Sequence, residues 1–240
     1  MQPKRLTFGS LFAGIGGFDL GFERAGMECK WQVEIDPKAR DVLTRHWPMV
    51  RRHDDVRTFP PAGEWGVDVV CGGFPCQDIS NAGKKAGIDG ERSGLWSQYA
   101  RIIRVVRPRF VVVENVAALL ERGMGRVLRD LAAGGFDAEW DVLPASAFGA
   151  PHERERLFLV AFSREIAFRG SIFPNKQHDF PRNEQWSSAE DIKDGQISSG
   201  DFCGMDDGLS EELDRVGLTG NAVVPAIAEW IGGRIVSICA

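Results

Sequence analysis

The chain has 240 residues, 43% of them apolar, and a net charge of −5. That length suits one α/β domain with a small appendage, or two small domains, with enough apolar residues for a real core. No apolar run reaches the roughly 18 residues of a membrane span, and the acidic balance argues mildly against nucleic acid unless basic residues cluster locally.

Met1 to Arg5 is not followed by an apolar stretch and cleavage site, so no secretory leader is expected. Five cysteines without framework spacing read as free thiols in a reducing compartment. There is no Cys-x-x-Cys and no close histidine pair, so no structural metal is expected.

Leu6 to Phe12 is an apolar run ending in Ala13-Gly14-Ile15-Gly16-Gly17, and Phe18, Phe22 and Ala25 then fall on one helical face. Strand, glycine loop and helix open a nucleotide-binding unit, because glycines let the backbone approach a ligand at a helix N-terminus. A second strand, Trp31 to Ile35, delivers Glu34 about 20 residues after the loop, where a carboxylate can grip ribose hydroxyls. The plainer reading is a glycine turn beside a solvated carboxylate. Asp36-Pro37 predicts an N-cap with proline at the first helical position, and the helix runs to about Trp47. Asp54-Asp55-Val56 follows, and by itself reads as a solvated acidic pair.

Val67 to Cys71 predicts a short buried strand, broken by Gly72-Gly73 and a turn stiffened by Pro75. Cys71 reads as an inert core thiol. Cys76, on the loop beyond the strand, is where open α/β sheets place their chemistry. Asn81 to Arg92 reads as a loop, with Lys84, Lys85 and Arg92 available to phosphates or simply solvated. Leu95, Tyr99, Ile102, Ile103 and Val106 mark an amphipathic helix whose Arg101, Arg104 and Arg107 form a wet side without function. Phe110 to Val113 is a buried strand expected beside the Cys76 strand, and it ends in Glu114-Asn115-Val116. A carboxylate there is costly unless paired or used.

Ala117 to Leu131 reads as helix interrupted by Gly123 and Gly125, and Phe136 to Val142 alternates as a half-buried strand. His152, Arg154 and Arg156 precede a strand at Leu157 to Phe162, with both arginines on one face of an extended segment. A salt-bridged surface turn is the plain alternative. From about Ser163 to Asp207 the pattern dissolves into a net acidic stretch, where Phe180, Trp186 and Phe202 could form a satellite core. Leu209 to Leu218 reads as a short helix. Gly220-Asn221-Ala222-Val223 then leads into an amphipathic helix through Ile227, Trp230, Ile231 and Ile235.

Taken together, Phe-Ala-Gly-Ile-Gly-Gly-Phe, Pro-Cys, Glu-Asn-Val, Arg-x-Arg and Gly-Asn-x-Val occur in the order of the DNA cytosine-5 methyltransferases, and the chain resembles that family from about residue 8 to 236. His152 stands where the family has glutamine. The resemblance implies a Rossmann-like, doubly wound α/β fold that binds S-adenosylmethionine, with a small, irregular second domain. It implies that Phe12 lies against the adenine and that Gly14, Ile15 and Gly17 border the amino-acid part. Glu34 would hold the ribose and Asp55 the adenine amino group, with Ile35, Val56, Pro75 and Leu95 as further contacts. Asn221 and Ala222 would complete the cofactor site. NAD is not expected, because Gly-Ile-Gly-Gly lacks the spacing of its fingerprint.

By the same resemblance, Cys76 adds as thiolate to carbon 6 of a flipped-out cytosine, and protonated Glu114 donates to ring nitrogen 3. Arg154 and Arg156 orient the carboxylate and the base's carbonyl oxygen. Gln77, Ser80, Lys84, Lys85 and Arg92 would contact DNA. The expected organisation is a catalytic and cofactor-binding domain over 1–163, a short target-recognition region over 164–208, and a C-terminal helix over 209–240 that returns to the catalytic domain. The short recognition region implies a short or relaxed target site, with a second chain as another source of reading surface. A monomer in the cytoplasm of a bacterial or phage-infected cell is expected. The competing readings are a tRNA methyltransferase, an enzyme using a modified S-adenosylmethionine, and a non-catalytic DNA-binding module.

Overall fold

The computed structural model describes residues 5–61, 63–75, 95–150, 152–166, 170–173 and 222–239. Cys76, Gln77, Ser80, Lys84, Lys85, Arg92 and Asn221 lie outside the described residues, as do the expected satellite core and the helix at Leu209 to Leu218.

Among the described residues, seven strands form one sheet: β1 (Thr7–Leu11), β2 (Glu28–Val33), β3 (Arg51–His53), β4 (Val69–Gly73), β5 (Phe110–Asn115), β6 (Phe136–Pro144) and β7 (Glu155–Ser163). Their order is β3-β2-β1-β4-β5-β7-β6. The first five are parallel, and β7 runs antiparallel to β5 and β6. The order reverses between β1 and β4, and ligands in such sheets bind at the carboxyl ends beside that reversal.

Helices cover both faces: α1 (Gly17–Arg24), α2 (Pro37–His46), α3 (Leu95–Val106), α4 (Leu119–Arg122), α5 (Met124–Ala133) and α6 (Pro225–Cys239). Successive side chains of β5 alternate between two cores. Val111 and Val113 meet Tyr99, Ile102 and Ile103 of α3 and Val127 and Leu131 of α5. Phe110 and Val112 share the other core with Phe18 and Phe22 of α1 and Ile227, Ile231 and Ile235 of α6. The helix broken at Gly123 is α4 and α5, and Asp36 caps α2 by accepting from the N–H groups of Lys38 and Ala39 at 2.8 and 3.3 Å.

Small residues let α6 press on α1. A Cβ on Gly17 would clash with the carbonyl oxygen of Val223, and one on Gly21 would lie 2.5 Å from the Ala228 methyl. The chain just before α6 therefore lies over the start of α1, next to the glycine loop. Among the described residues, no helix is long and apolar enough to cross a membrane.

The start of α1 is also tied to the sheet by a buried carboxylate. Asp19 accepts hydrogen bonds from Ser10 Oγ at 3.1 Å, Gln32 Nε2 at 2.9 Å and Cys29 Sγ at 3.4 Å. Burial pushes its pKa up to about 6 from 3.8, and these donors oppose the rise. The folded protein therefore holds a proton on Asp19 between about pH 4 and 6 that the unfolded chain releases, so this group's contribution to stability falls as pH rises through that window. Relative to Asp19→Asn, the wild type should lose about 2 kcal/mol of unfolding free energy between pH 4 and 6.5. Urea unfolding of the two proteins across that range checks this, and parallel pH profiles would contradict it.

Candidate active site

The carboxyl ends of β1 to β4 open onto a pocket of about 390 Å³. Phe12, Val33, Ile35, Val56, Pro75 and Leu95 give it apolar walls, and Glu34, Asp54, Asp55 and Arg57 supply its polar groups. The chain leaves each of these strands just below the pocket, so strand-end residues line it without long loops. Phe12 is held at φ 52, and it and Arg107 are the non-glycine residues of positive φ among those described. A bulky side chain in that region costs on the order of 1–3 kcal/mol, and such strain gathers at ligand clamps.

Glu34 organises the glycine loop. One carboxylate oxygen accepts the Gly14 N–H at 2.7 Å, and the other accepts the Asp36 N–H at 2.8 Å. Both oxygens keep lone pairs for a further donor. Asp55 is not a simply solvated acid. The Arg57 guanidinium grips both its oxygens, with Nε at 2.9 and 3.0 Å and Nη2 at 2.7 Å, and the Arg57 N–H adds a bond at 2.9 Å. That guanidinium, and then the backbone bond, hold the Asp55 carboxyl below its ordinary range.

Next to β4 in the sheet, on β5 and β7, lies a buried charge cluster. Glu114 pairs in register with Gly73 across β4 and β5, and its side chain rises against that glycine. A Cβ on Gly73 would clash with Glu114 Oε2. Arg156, near the start of β7, donates through Nε to Glu114 Oε1 at 3.1 Å. Glu114 is 8% exposed. Burial raises its pKa above the ordinary carboxylate value, against the opposing charges of Arg156 and then Arg154. The same logic pushes Arg154 down, through burial first and the Arg156 charge second. Nε of Arg154 is buried and has no hydrogen-bond partner among the described residues. A buried donor left open beside a carboxylate is one that a substrate acceptor can satisfy. Burial likewise lowers the His152 imidazole.

Asn115, the next residue of β5, donates through Nδ2 to the carbonyl of Phe74 at 3.1 Å and so fixes the turn that leads to Cys76. Phe74 in turn packs on Trp96, with ring centroids 5.5 Å apart, and Trp96 packs on Tyr99. Cys71 is fully buried and donates to the Gly9 carbonyl at 3.6 Å, as an inert core thiol should.

The structure thus gathers Phe12, Glu34, Ile35, Asp55, Val56, Pro75 and Leu95 around one pocket, and Glu114, Arg154 and Arg156 with one another. Gly14 reaches the pocket through its bond to Glu34. The side chain of Ile15 instead packs into a core with Ala39, Val42, Leu43 and Trp47, against which Ala222 also lies. Gly17 faces Val223. Arg57, Asn115 and Arg101 were not among the expected site residues. A basic residue two positions after a strand-end acid was the available signal for Arg57, since such a pair can close on itself.

A model of the C-5 cytosine-specific DNA methylase family matches residues 6–215. The chain belongs to that family. It is 37% identical over 163 residues to the type II methyltransferase M2.BsuMI of Bacillus subtilis, a match that covers 63% of this chain and 41% of that protein. It is 30% identical over 196 residues to M.FnuDI of Fusobacterium nucleatum, covering 80% of this chain and 57% of the relative. The chain therefore spans about half the length of the curated relatives it matches. Among solved structures, a chain described as a prophage-encoded DNA modification methyltransferase of E. coli aligns with a TM-score of 0.59 at 25% identity, over 69% of this chain and 49% of that one. The Entamoeba histolytica methyltransferase EhMeth aligns over 99% of both chains with a TM-score of 0.76 at 14% identity, a likeness of fold alone.

Within this family member the Glu114–Arg156 pair sets a titration that can be read directly. Arg156→Gln removes the stronger of the two charges opposing desolvation, so Glu114 should titrate at a higher pH than in the wild type. Carbon-13 NMR of labelled glutamate carboxyls checks this. An unchanged or lower midpoint would mean that Arg156 does not govern the group.

Proposed function

We propose that the chain transfers a methyl group from S-adenosylmethionine to carbon 5 of a flipped-out cytosine in duplex DNA. The observation that carries this reading is a buried Glu114, paired with Arg156 and held against Gly73, two residues before the Pro75 that lines a nucleoside-sized pocket. The pocket fits the cofactor. Its volume lies within the usual range for small-molecule sites, its apolar walls suit a flat ring, and Glu34 and Asp55 offer acceptors for hydroxyl and amino donors. In this reading Phe12, Ile35, Val56 and Leu95 enclose the adenine, Glu34 takes the ribose hydroxyls, and Asp55 takes the adenine amino group. The glycine loop and the Asn221-Ala222 backbone border the rest. When bound, the cofactor supplies an electrophilic methyl group at its sulfonium.

Carbon 5 of cytosine is a poor nucleophile. We assign Cys76 as the thiolate that adds to carbon 6 and makes carbon 5 enamine-like; an ordinary thiol is only a few per cent ionised near neutrality, so its surroundings must favour the thiolate. As negative charge develops on ring nitrogen 3, a carboxylic acid there is needed to donate a proton. Glu114 suits that role because desolvation holds its pKa above the ordinary carboxylate value, which favours the protonated form. Arg156 steers the carboxyl, and the open Nε of Arg154 is available to the carbonyl oxygen of the base. Loss of the carbon 5 proton and expulsion of the thiolate complete the cycle. The atoms concerned are inaccessible in a stacked duplex, so the base must leave the helix.

We assign residues 164–208 to target reading. The segment is short and net acidic, which favours a short or relaxed target site. Bisulfite sequencing of DNA from a methylation-free host expressing the chain should reveal protected cytosines within a short recurring sequence. Cys76→Ser should remove all protection. No protected cytosine in DNA, together with radiolabel transfer from S-adenosylmethionine to tRNA by the purified chain, would redirect the assignment to RNA. A long, strictly read site would overturn the reading of 164–208.

A further inference from the structure

The helical pattern of α3 assigns Arg101 to a wet, functionless face. Its guanidinium instead turns inward across a loop. Nη2 donates to the carbonyl of Val56 at 2.9 Å, and Nη1 and Nη2 each donate to the carbonyl of Phe59 at 3.2 Å. Nε is held by Gln98 Oε1 at 2.9 Å. The carbonyls belong to the connection after β3, and that connection carries Asp55, Val56 and Arg57 into the pocket wall. Arg101 itself stands six residues along from Leu95, which lines the same pocket from the start of α3.

One planar cation therefore joins two separate parts of the pocket wall. The far end of the loop has its own anchor, because the Phe59 ring packs on Trp31 and Trp65 with centroids 4.9 Å apart in each pair. The near end, at Val56, is held by that one buried side chain and not by a long strand, since β3 is only three residues long and ends at His53. The direction of the Asp55 carboxylate depends on the backbone there, because Asp55 is bound to the N–H and guanidinium of Arg57 two residues on.

We propose that Arg101 is a positioning residue of the cofactor pocket: by binding the Val56 and Phe59 carbonyls it fixes the loop that aims Asp55 at the bound nucleoside. This rests on the proposed function, in which that nucleoside is the adenosine of S-adenosylmethionine. A guanidinium presents donors in a fixed fork and spans two carbonyls; a lysine ammonium is a compact point charge and does not reproduce that geometry.

Calorimetry with S-adenosylhomocysteine on the full chain tests this without DNA or turnover. Arg101→Ala should weaken binding roughly tenfold, the scale of a lost charge-assisted hydrogen bond. In an Asp55→Ala background the same substitution should cost no more than about twofold, because the two residues act through one contact. A merely structural arginine would lower affinity equally in both backgrounds. Arg101→Lys should fall between wild type and Ala, and it carries the test if the Ala variant does not fold. Binding by the folded Arg101 variants within about twofold of wild type would overturn the proposal, and so would a full tenfold cost in the Asp55→Ala background. Failure of the wild type itself to bind S-adenosylhomocysteine would overturn the cofactor reading instead, and this proposal with it.

Discussion

The site depends on one costly arrangement, a carboxylate buried at the end of β5. Removing a charge from water at that depth is tolerated only with a partner or with a proton. Glu114 has access to both. Arg156 stands 3.1 Å away, and desolvation still holds the carboxyl pKa above its ordinary value. Much of the local structure serves this balance. Gly73 is side-chain-free because the carboxylate occupies the space its Cβ would take. The antiparallel insertion of β7 beside β5 is what brings Arg156 within reach. Asn115 ties the same strand end to the Phe74 carbonyl, so β5 also sets the turn before Cys76.

A second economy lies in the pocket wall. The bonds from Glu34 to Gly14 and Asp36 tie the first glycine loop to the end of β2. Arg57 and Arg101 act on the loop after β3 from two sides, one through a carboxylate and the other through carbonyls. The wall is thus built from short connections, each held by a charged side chain bound to backbone or to a neighbouring acid. Pre-organisation of this kind lowers the ordering cost of ligand binding.

The elements that a periodic pattern marks strongly were legible in the chain itself. Asp36-Pro37 predicts the cap and start of α2, and the run at Phe110 predicts the buried strand beside β4. Strand ends were less legible: β4 begins at Val69 and runs through Gly73, because a parallel strand can continue through small residues that read as a break. The pocket residues were legible largely through motif resemblance, since composition alone favoured a solvated Asp55. Arg101 was misread for a physical reason. Helical periodicity reports which face is apolar, but a long arginine stem can leave a polar face and return its head group to buried carbonyls. Nor does any local pattern reveal Asp19, whose partners come from two strands.

The central claim is that Cys76 attacks cytosine while the buried Glu114 supplies a proton. The most direct measurement incubates the full chain with S-adenosylmethionine and duplex DNA carrying 5-fluorocytosine at the target position, where loss of the carbon 5 proton is blocked. Intact-mass analysis should then find a covalent protein–DNA complex containing one transferred methyl group, with the attachment mapped to Cys76 after digestion. Absence of any adduct on DNA that the chain methylates when it carries ordinary cytosine, or attachment at a different residue, would contradict the account.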